Sequence, residues 1–229
     1  MGASVVSARE TILGRVRASR SRPDEAAARR EVAERLAGHA RHLQPARIAL
    51  DHEGLVALFA EKAGAVDATL ETIDNEADVP AAVARYLRGR NLPAEAAIAA
   101  HPDLDRLDWQ ASTMTVQRRA PEGTDRVGIN RPLWAVAETG TLVFASGPQS
   151  PATMNFLPET HIVVLRRSEI VGGYEDAWDR LRAAGRGQGQ ALPRTLNLVT
   201  GTSRTGDIEQ ILQLGVHGPK FMHILVVKD

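Results

Sequence analysis

Residues 196–227, LNLVTGTSRTGDIEQILQLGVHGPKFMHILVV, decide how the chain is read. Leu196, Leu198 and Val199 form an apolar run that enters the segment, and Phe221 to Val227 form a second that leaves it. Between the two runs, Gly201, Thr202, Ser203, Arg204, Thr205, Asp207 and His217 crowd around a short expected helix carrying Ile208, Ile211 and Leu212. The pattern is strand, small-residue loop, helix, strand. Loops of this kind bring backbone N–H groups and hydroxyls to a helix N-terminus, where an anion can bind. On this reading Thr205 caps the helix, Arg204 holds a carboxylate or phosphate bidentately, and Asp207 binds a hydroxyl or amine or orients Arg204. An ordinary strand–helix turn with a capping threonine and an exposed arginine fits the same spacing.

Two further constellations stand beside it. In Gly215-Val216-His217-Gly218-Pro219, Gly215 suits a helix C-terminus, where positive φ is often needed. The poorly covered His217 has a titration range suited to proton transfer or ligand hydrogen bonding; a loop histidine bonded to backbone is the plainer reading. No other His or Cys stands at zinc-ligand spacing, so no metal site is expected. In Ala137-Glu138-Thr139-Gly140-Thr141, a carboxylate precedes a tight turn that feeds the apolar run Leu142 to Ala145. Glu138 there suits an acid/base, a covalent nucleophile or a ligand anchor, or simply a solvated hairpin. The following MNFLP, Met154 to Pro158, can return Asn155 to the same rim as an amide donor and acceptor. The expected site therefore comprises Glu138, His217 and Asp207 as chemical groups. Thr139, Gly140, Thr141, Asn155, Gly201, Ser203, Arg204, Thr205 and Gly218 are the expected ligand contacts.

The rest of the chain alternates short strands and helices. Ile48 to Leu50 reads as strand, Leu55 to Lys62 as helix, Asp67 to Ile73 as strand, Val79 to Arg88 as helix and Ala96 to Ala100 as strand. Residues 101–126 are irregular. Leu142 to Ala145 and Ile162 to Leu165 are β-rich. Tyr174, Ala177, Trp178 and Leu181 share a helix face, and Gly185 to Gly189 reads as a flexible surface loop. Such alternation favours a mainly parallel α/β sheet with helices on both faces, whose ligands sit beyond the carboxyl ends of the strands. Residues 1–45 differ: Val5, Ala8, Ile12 and Val16, then Ala28, Val32, Leu36 and Ala40, recur at helical spacing, which predicts an N-terminal helical extension before an α/β domain at 46–229.

Composition limits the function. With 28 basic and 28 acidic residues the net charge is zero, which gives no electrostatic footprint for nucleic acid or an anionic membrane. Aromatics are scarce, and Trp109, Trp134 and Trp178 read as packing residues rather than a stacking platform. The chain has no cysteine, hence no disulfide, thiolate nucleophile or cysteine-held iron–sulfur cluster. Neither a P-loop nor a G-x-G-x-x-G fingerprint is present. The first twenty residues lack a signal peptide's apolar region, and no run approaches membrane-spanning length, so a cytoplasmic location is expected.

Taken together, AETGTLVFASG, NFLPETHIVVL and GTSRTGDIEQILQLGVHGP resemble the LUD-domain family, in its lactate-utilisation protein C type, over residues 125–229; ARETILGRVRAS also looks like that family's opening helix. Gly206 and Thr202 depart from the usual alanine and proline. The resemblance implies a fold like that of ribose-phosphate isomerases, CoA transferases and 5-formyltetrahydrofolate cyclo-ligase. It also implies work as a subunit or accessory protein of a system oxidising L-lactate to pyruvate, beside partners that carry the iron–sulfur clusters. An anionic-ligand pocket would then be this chain's share, with no cofactor of its own. Two other readings stay open: a stand-alone enzyme acting on a CoA ester or sugar phosphate through Glu138, and a non-catalytic metabolite-binding scaffold.

Overall fold

The computed structural model describes residues 7–20, 24–185, 192–206 and 211–229. The chain divides into two units, Met1–Leu43 and Gln44–Asp229. The first unit holds helices α1 (Ala8–Arg20) and α2 (Glu25–Gly38). Asp24 starts α2 by accepting the Ala27 N–H at 2.8 Å, the side-chain cap expected of an aspartate at that position. Ile12, Val16, Val32 and Leu36, the apolar positions of these helices, are exposed.

The second unit begins with α3 (His52–Gly64), capped by Asp51 through the Gly54 N–H at 2.8 Å. There follow β1 (Ala68–Ile73), α4 (Val79–Gly89), β2 (Glu95–Ile98), the single turn α5 (Pro102–Asp105), β3 (Thr115–Arg118), β4 (Val127–Asn130), β5 (Trp134–Val136) and β6 (Thr141–Ala145). The chain closes with β7 (Thr160–Arg166), β8 (Ile170–Val171), α6 (Tyr174–Ala183), β9 (Leu196–Thr200), β10 (Arg204–Thr205), β11 (Gln213–Leu214) and β12 (Phe221–Val227).

Six strands, in the order β1-β12-β7-β4-β2-β3, form one sheet whose neighbours all run parallel. The mainly parallel α/β architecture read from the sequence is therefore present. The central strands β7 and β12 are apolar on both faces, as a doubly covered parallel sheet requires. Ile162, Val164, Leu225 and Val227 pack under α4 with Val79, Val83 and Leu87. The alternate residues Val163, Leu165, Ile224 and Val226 pack against Phe59 and Ala63 of α3. That second face is shared with a four-stranded sheet, β8-β5-β6-β9, which contributes Ala135, Leu142 and Phe144 to the same core. On its other side this smaller sheet carries α6 through Val136, Val143 and Ala177.

Strand order places a topological switch between β2 and β4. After β2 the chain moves outward to β3; after β4 it moves the opposite way, to β7 and β12. The loops leaving these two neighbours diverge at the carboxyl edge, the geometry that opens a crevice in such sheets.

Several local expectations are corrected. Arg204–Thr205 pairs antiparallel with Gln213–Leu214, so Thr205 lies in a strand. Ile211 and Leu212 precede β11 rather than belonging to a helix, and Gly215, with φ of +80°, follows a strand. Cross-strand pairing prevails there over the helical spacing of the apolar residues. Ile48 ends a 3₁₀ turn, Ala46–Ile48, instead of opening a strand. Trp109 is buried in the core, but Trp178 is 40 % exposed. Val5, Asp207, Ile208 and residues 186–189 of the expected glycine-rich loop lie outside the described residues.

Candidate functional site

The two glycine-bearing motifs converge on one place, the junction between α3 and β1. Gly140 has φ of +69°, and a Cβ there would stand 2.5 Å from the Ala63 backbone nitrogen. Gly201 has φ of +68°, and its Cβ would collide with the Val66 carbonyl oxygen. Each position combines left-handed backbone with direct backbone contact, and only glycine meets both demands without strain. Register completes the junction: Thr141 of β6 lies opposite Thr200 of β9, and their hydroxyls are 2.7 Å apart. Thr139 and Tyr174 join them, with Thr141 Oγ1 2.6 Å from Thr139 Oγ1 and 2.9 Å from the Tyr174 hydroxyl. Thr139 and Thr141 thus sit in a network of four hydroxyls. Glu138, one residue before, is ion-paired with Arg47.

The chain leaving Gly201 reaches the amino ends of the parallel strands. The Ser203 N–H donates to the Pro219 carbonyl at 2.9 Å, and the Gly215 N–H donates to the Ser203 carbonyl at 2.9 Å. The His217 N–H donates to Ser203 Oγ at 3.3 Å. Gly218 fits closely between Ser203 and the Asn155 backbone; a Cβ on it would meet the Ser203 Cβ at 3.3 Å. Ser203, His217, Gly218 and Asn155 are therefore neighbours. Arg204 reaches back to Asp67 at 2.8 Å, in a pair partly open to solvent. His217 lines a cavity of about 490 Å³ together with Phe156, Leu157, Glu159, Val216 and Lys220. Glu138 does not line it, and no contact joins Glu138 to His217 among the described residues.

Two features of this end bear on ligand binding. Lys220 has no carboxylate partner among the described residues; its ammonium lies 5.5 Å from the Phe221 ring centre. Glu159, the one acidic residue on the cavity wall among the described residues, is held by Arg126 at 3.2 Å, so among these residues the Lys220 charge is uncompensated. Buried polar atoms also stand without partners among the described residues here: both amide atoms of Asn155, the Thr160 hydroxyl and the Thr202 hydroxyl. Such groups are rare in folded proteins, and each calls for an explanation. Lys220 escaped the sequence reading because a lone lysine before a strand carries no pattern. The charge balance around it depends on contacts between distant residues.

The opposite edge holds a cluster that no motif announced. Arg131, which leaves β4, has a side chain only 2 % exposed and meets Glu76, Asp103 and Glu169. Arg166, at the end of β7, lies 3.0 Å from Glu76 and 3.2 Å from Asp103. Burial raises the pKa of Glu169 against the opposing pull of Arg131. Among the described residues no group of three or more potential metal ligands occurs, and no helix is long and apolar enough to cross a membrane.

A parallel sheet with motif loops at one edge and a charge cluster at the other defines an open α/β protein. The LUD domain model matches residues 56–227, and the chain belongs to the LUD-domain family. Its relatives include lactate utilization protein C of Geobacillus sp. (strain WCH70), 37% identical over 103 residues, and of Bacillus subtilis (strain 168), 38% identical over 103 residues. Each match covers 45% of this chain and 42% of the relative. The match to lactate utilization protein C of Bacillus licheniformis is 33% identical and covers 53% of this chain and 50% of that one. The chain thus spans about half the length of the curated relatives it matches, or less. Among solved structures, a DUF162 family protein from Deinococcus radiodurans shares the fold, with a TM-score of 0.56 at 20% identity over 78% of this chain and 99% of that one.

Proposed function

We propose that the chain serves lactate utilisation as a component that binds a small anionic metabolite at the amino-end cavity, beside iron–sulfur proteins that carry the electrons. Relatives named lactate utilization protein C support the pathway. One observation carries the site: Lys220, unpaired among the described residues, shares a cavity wall with His217. A carboxylate such as lactate or pyruvate supplies the countercharge that the described residues leave out. A cavity of about 490 Å³ suits a small molecule. His217 is held by its backbone N–H on Ser203, which leaves its imidazole for a ligand hydroxyl or for a proton. Arg204 acts here as a tether to Asp67 rather than as the clamp. Since the chain has no cysteine, cysteine-held clusters in this scheme belong to the partners.

The test is a gene deletion in the source organism, complemented in turn by the wild-type chain and by Lys220→Glu. Growth on L-lactate as sole carbon source should fail on deletion and return with the wild type. It should stay defective with Lys220→Glu at equal protein level. Undiminished growth of the deletion strain would overturn the pathway assignment. Full rescue by Lys220→Glu would overturn the site alone.

A further inference from the structure

The carboxyl edge holds a second cavity, of about 380 Å³, within the range of roughly 300–1,000 Å³ that small-molecule sites occupy. It lies at the topological switch. His101 comes from the loop after β2, Arg131 and Leu133 from the loop after β4, and Ser146, Gln149 and Ser150 from the loop after β6. The first two are the diverging loops that frame ligands in open parallel sheets; the third begins with Ser146 and Gly147, the end of the AETGTLVFASG motif.

The charges select the class of ligand. Arg131 Nη1 lies 3.4 Å from Glu76, its Nε lies 3.4 Å from Asp103, and its Nη2 meets Glu169. Arg166 shares Glu76 and Asp103, and Arg106 also binds Asp103. Three guanidiniums against three carboxylates leave the floor neutral. Among the described residues neither an anion nor a cation finds an unpaired countercharge there, the reverse of the Lys220 cavity.

What the walls offer instead is neutral hydrogen bonding. The Asp103 N–H donates to His101 Nδ1 at 3.2 Å. An amide N–H can only donate, so Nδ1 is the bare nitrogen and Nε2 carries the ring proton. Burial holds the His101 pKa below the ordinary imidazole value, which keeps the ring a neutral donor near pH 7. Ser146 Oγ accepts the Thr195 N–H at 2.9 Å, leaving its own O–H to donate. Ser150 Oγ lies 3.2 Å from the Asn130 amide nitrogen. Two backbone hydrogen bonds of 3.1 Å between Gly147 and Ser150 hold the rim. Pro132, Leu133 and Ala145 supply an apolar wall.

We propose that this cavity binds a neutral, hydroxyl-rich small molecule of the sugar or polyol class, oriented by His101 Nε2–H, Ser146, Ser150 and the Gln149 amide. The site stands independently of the lactate reading and of Lys220.

Ligand-observed saturation-transfer NMR on the full chain tests it, with D-ribose, D-glucose and myo-inositol as neutral probes and L-lactate and inorganic phosphate as anions. At least one neutral probe should bind saturably at millimolar concentration. Its affinity should fall about tenfold or more in Gln149→Trp, a change on an exposed loop that fills the cavity, and in His101→Phe. It should be unchanged in Lys220→Glu. Thermal midpoints within error of wild type exclude unfolding of the Gln149→Trp chain. The proposal is overturned if no neutral probe saturates, if Gln149→Trp leaves the affinity intact, or if phosphate displaces the bound probe.

Discussion

At the carboxyl ends of the six-stranded sheet Arg131 meets three carboxylates; at the amino ends Lys220 meets none among the described residues. The first cation is buried, the second exposed. Asn130 at the carboxyl edge is buried with its amide bonded to Ser150, whereas Asn155 at the amino edge is buried with both amide atoms unpartnered among the described residues. One sheet thus carries a closed electrostatic edge and an open one. A closed network resists the loss of any member, because the remaining charges are stranded in low dielectric. An open edge tolerates substitution in the free protein and registers it only when a ligand arrives.

The largest effect should therefore come from the closed edge. Arg131→Met leaves Glu169 and a share of Glu76 and Asp103 without a partner, and should lower unfolding free energy by about 3–5 kcal/mol. Urea denaturation at pH 7 measures it. The deficit should shrink as pH falls, because burial already favours the protonated form of Glu169 and protonation removes the stranded charge. A variant as stable as the wild type would make the network a surface feature and erase the contrast between the edges.

The strands between the two edges set the next effect. His161 on β7 is fully buried, and neither ring nitrogen has a partner among the described residues. Burial pushes its pKa down to about 4. His223 on β12 is pushed to about 4 by burial, against the opposing pull of Glu71. It stacks on Tyr86 at 4.0 Å and bonds Thr69 through Nδ1 at 2.8 Å. In the unfolded chain both rings titrate near the ordinary imidazole value of 6.5. Between these values the unfolded state binds more protons than the folded one, so stability falls as pH drops from 6.5 toward 4 and is flat above. Each histidine should contribute a loss of about 3 kcal/mol at pH 4. His161→Leu should remove about half of that acid dependence in unfolding curves taken from pH 4 to pH 7. An unchanged slope would mean that His161 reaches solvent or a partner.

The parts of the fold that were legible in the sequence are those whose burial is local. β7 and β12 are covered on both faces and so read as unbroken apolar runs, Ile162 to Leu165 and Phe221 to Val227. α4 and α6 show one-sided apolar spacing. β4 and β5 were not legible: Val127–Asn130 and Trp134–Val136 are short, and an arginine and a proline stand between them. The segment around Ile211 and Leu212 misled, because its apolar spacing fits a helix while Arg204–Thr205 finds a strand partner in Gln213–Leu214. At the site, Gly140 and Gly201 announced themselves as turn residues. Their common contact with the α3–β1 junction follows from the order of β6 and β9, which no local pattern encodes. The Arg131 cluster was invisible for the same reason, since its members come from four separate segments.

The smallest stability effects should fall at the open edge. Arg204→Ala removes a partly exposed pair with Asp67 and should cost about 0–1 kcal/mol, with the loss screened by salt. Lys220→Ala should cost less still, since no ion pair is broken among the described residues and only the 5.5 Å contact with the Phe221 ring is lost. Its consequence should appear in binding: lactate affinity measured by calorimetry should fall by about tenfold, the 1.4 kcal/mol that an exposed charge-assisted contact supplies. Raising the salt concentration should weaken the wild-type chain toward the variant, because the Lys220 charge is open to screening. Equal lactate affinity in the two proteins at low salt would place the anion elsewhere, while a large loss of stability in Lys220→Ala would show that the amino edge, too, depends on its cation to fold.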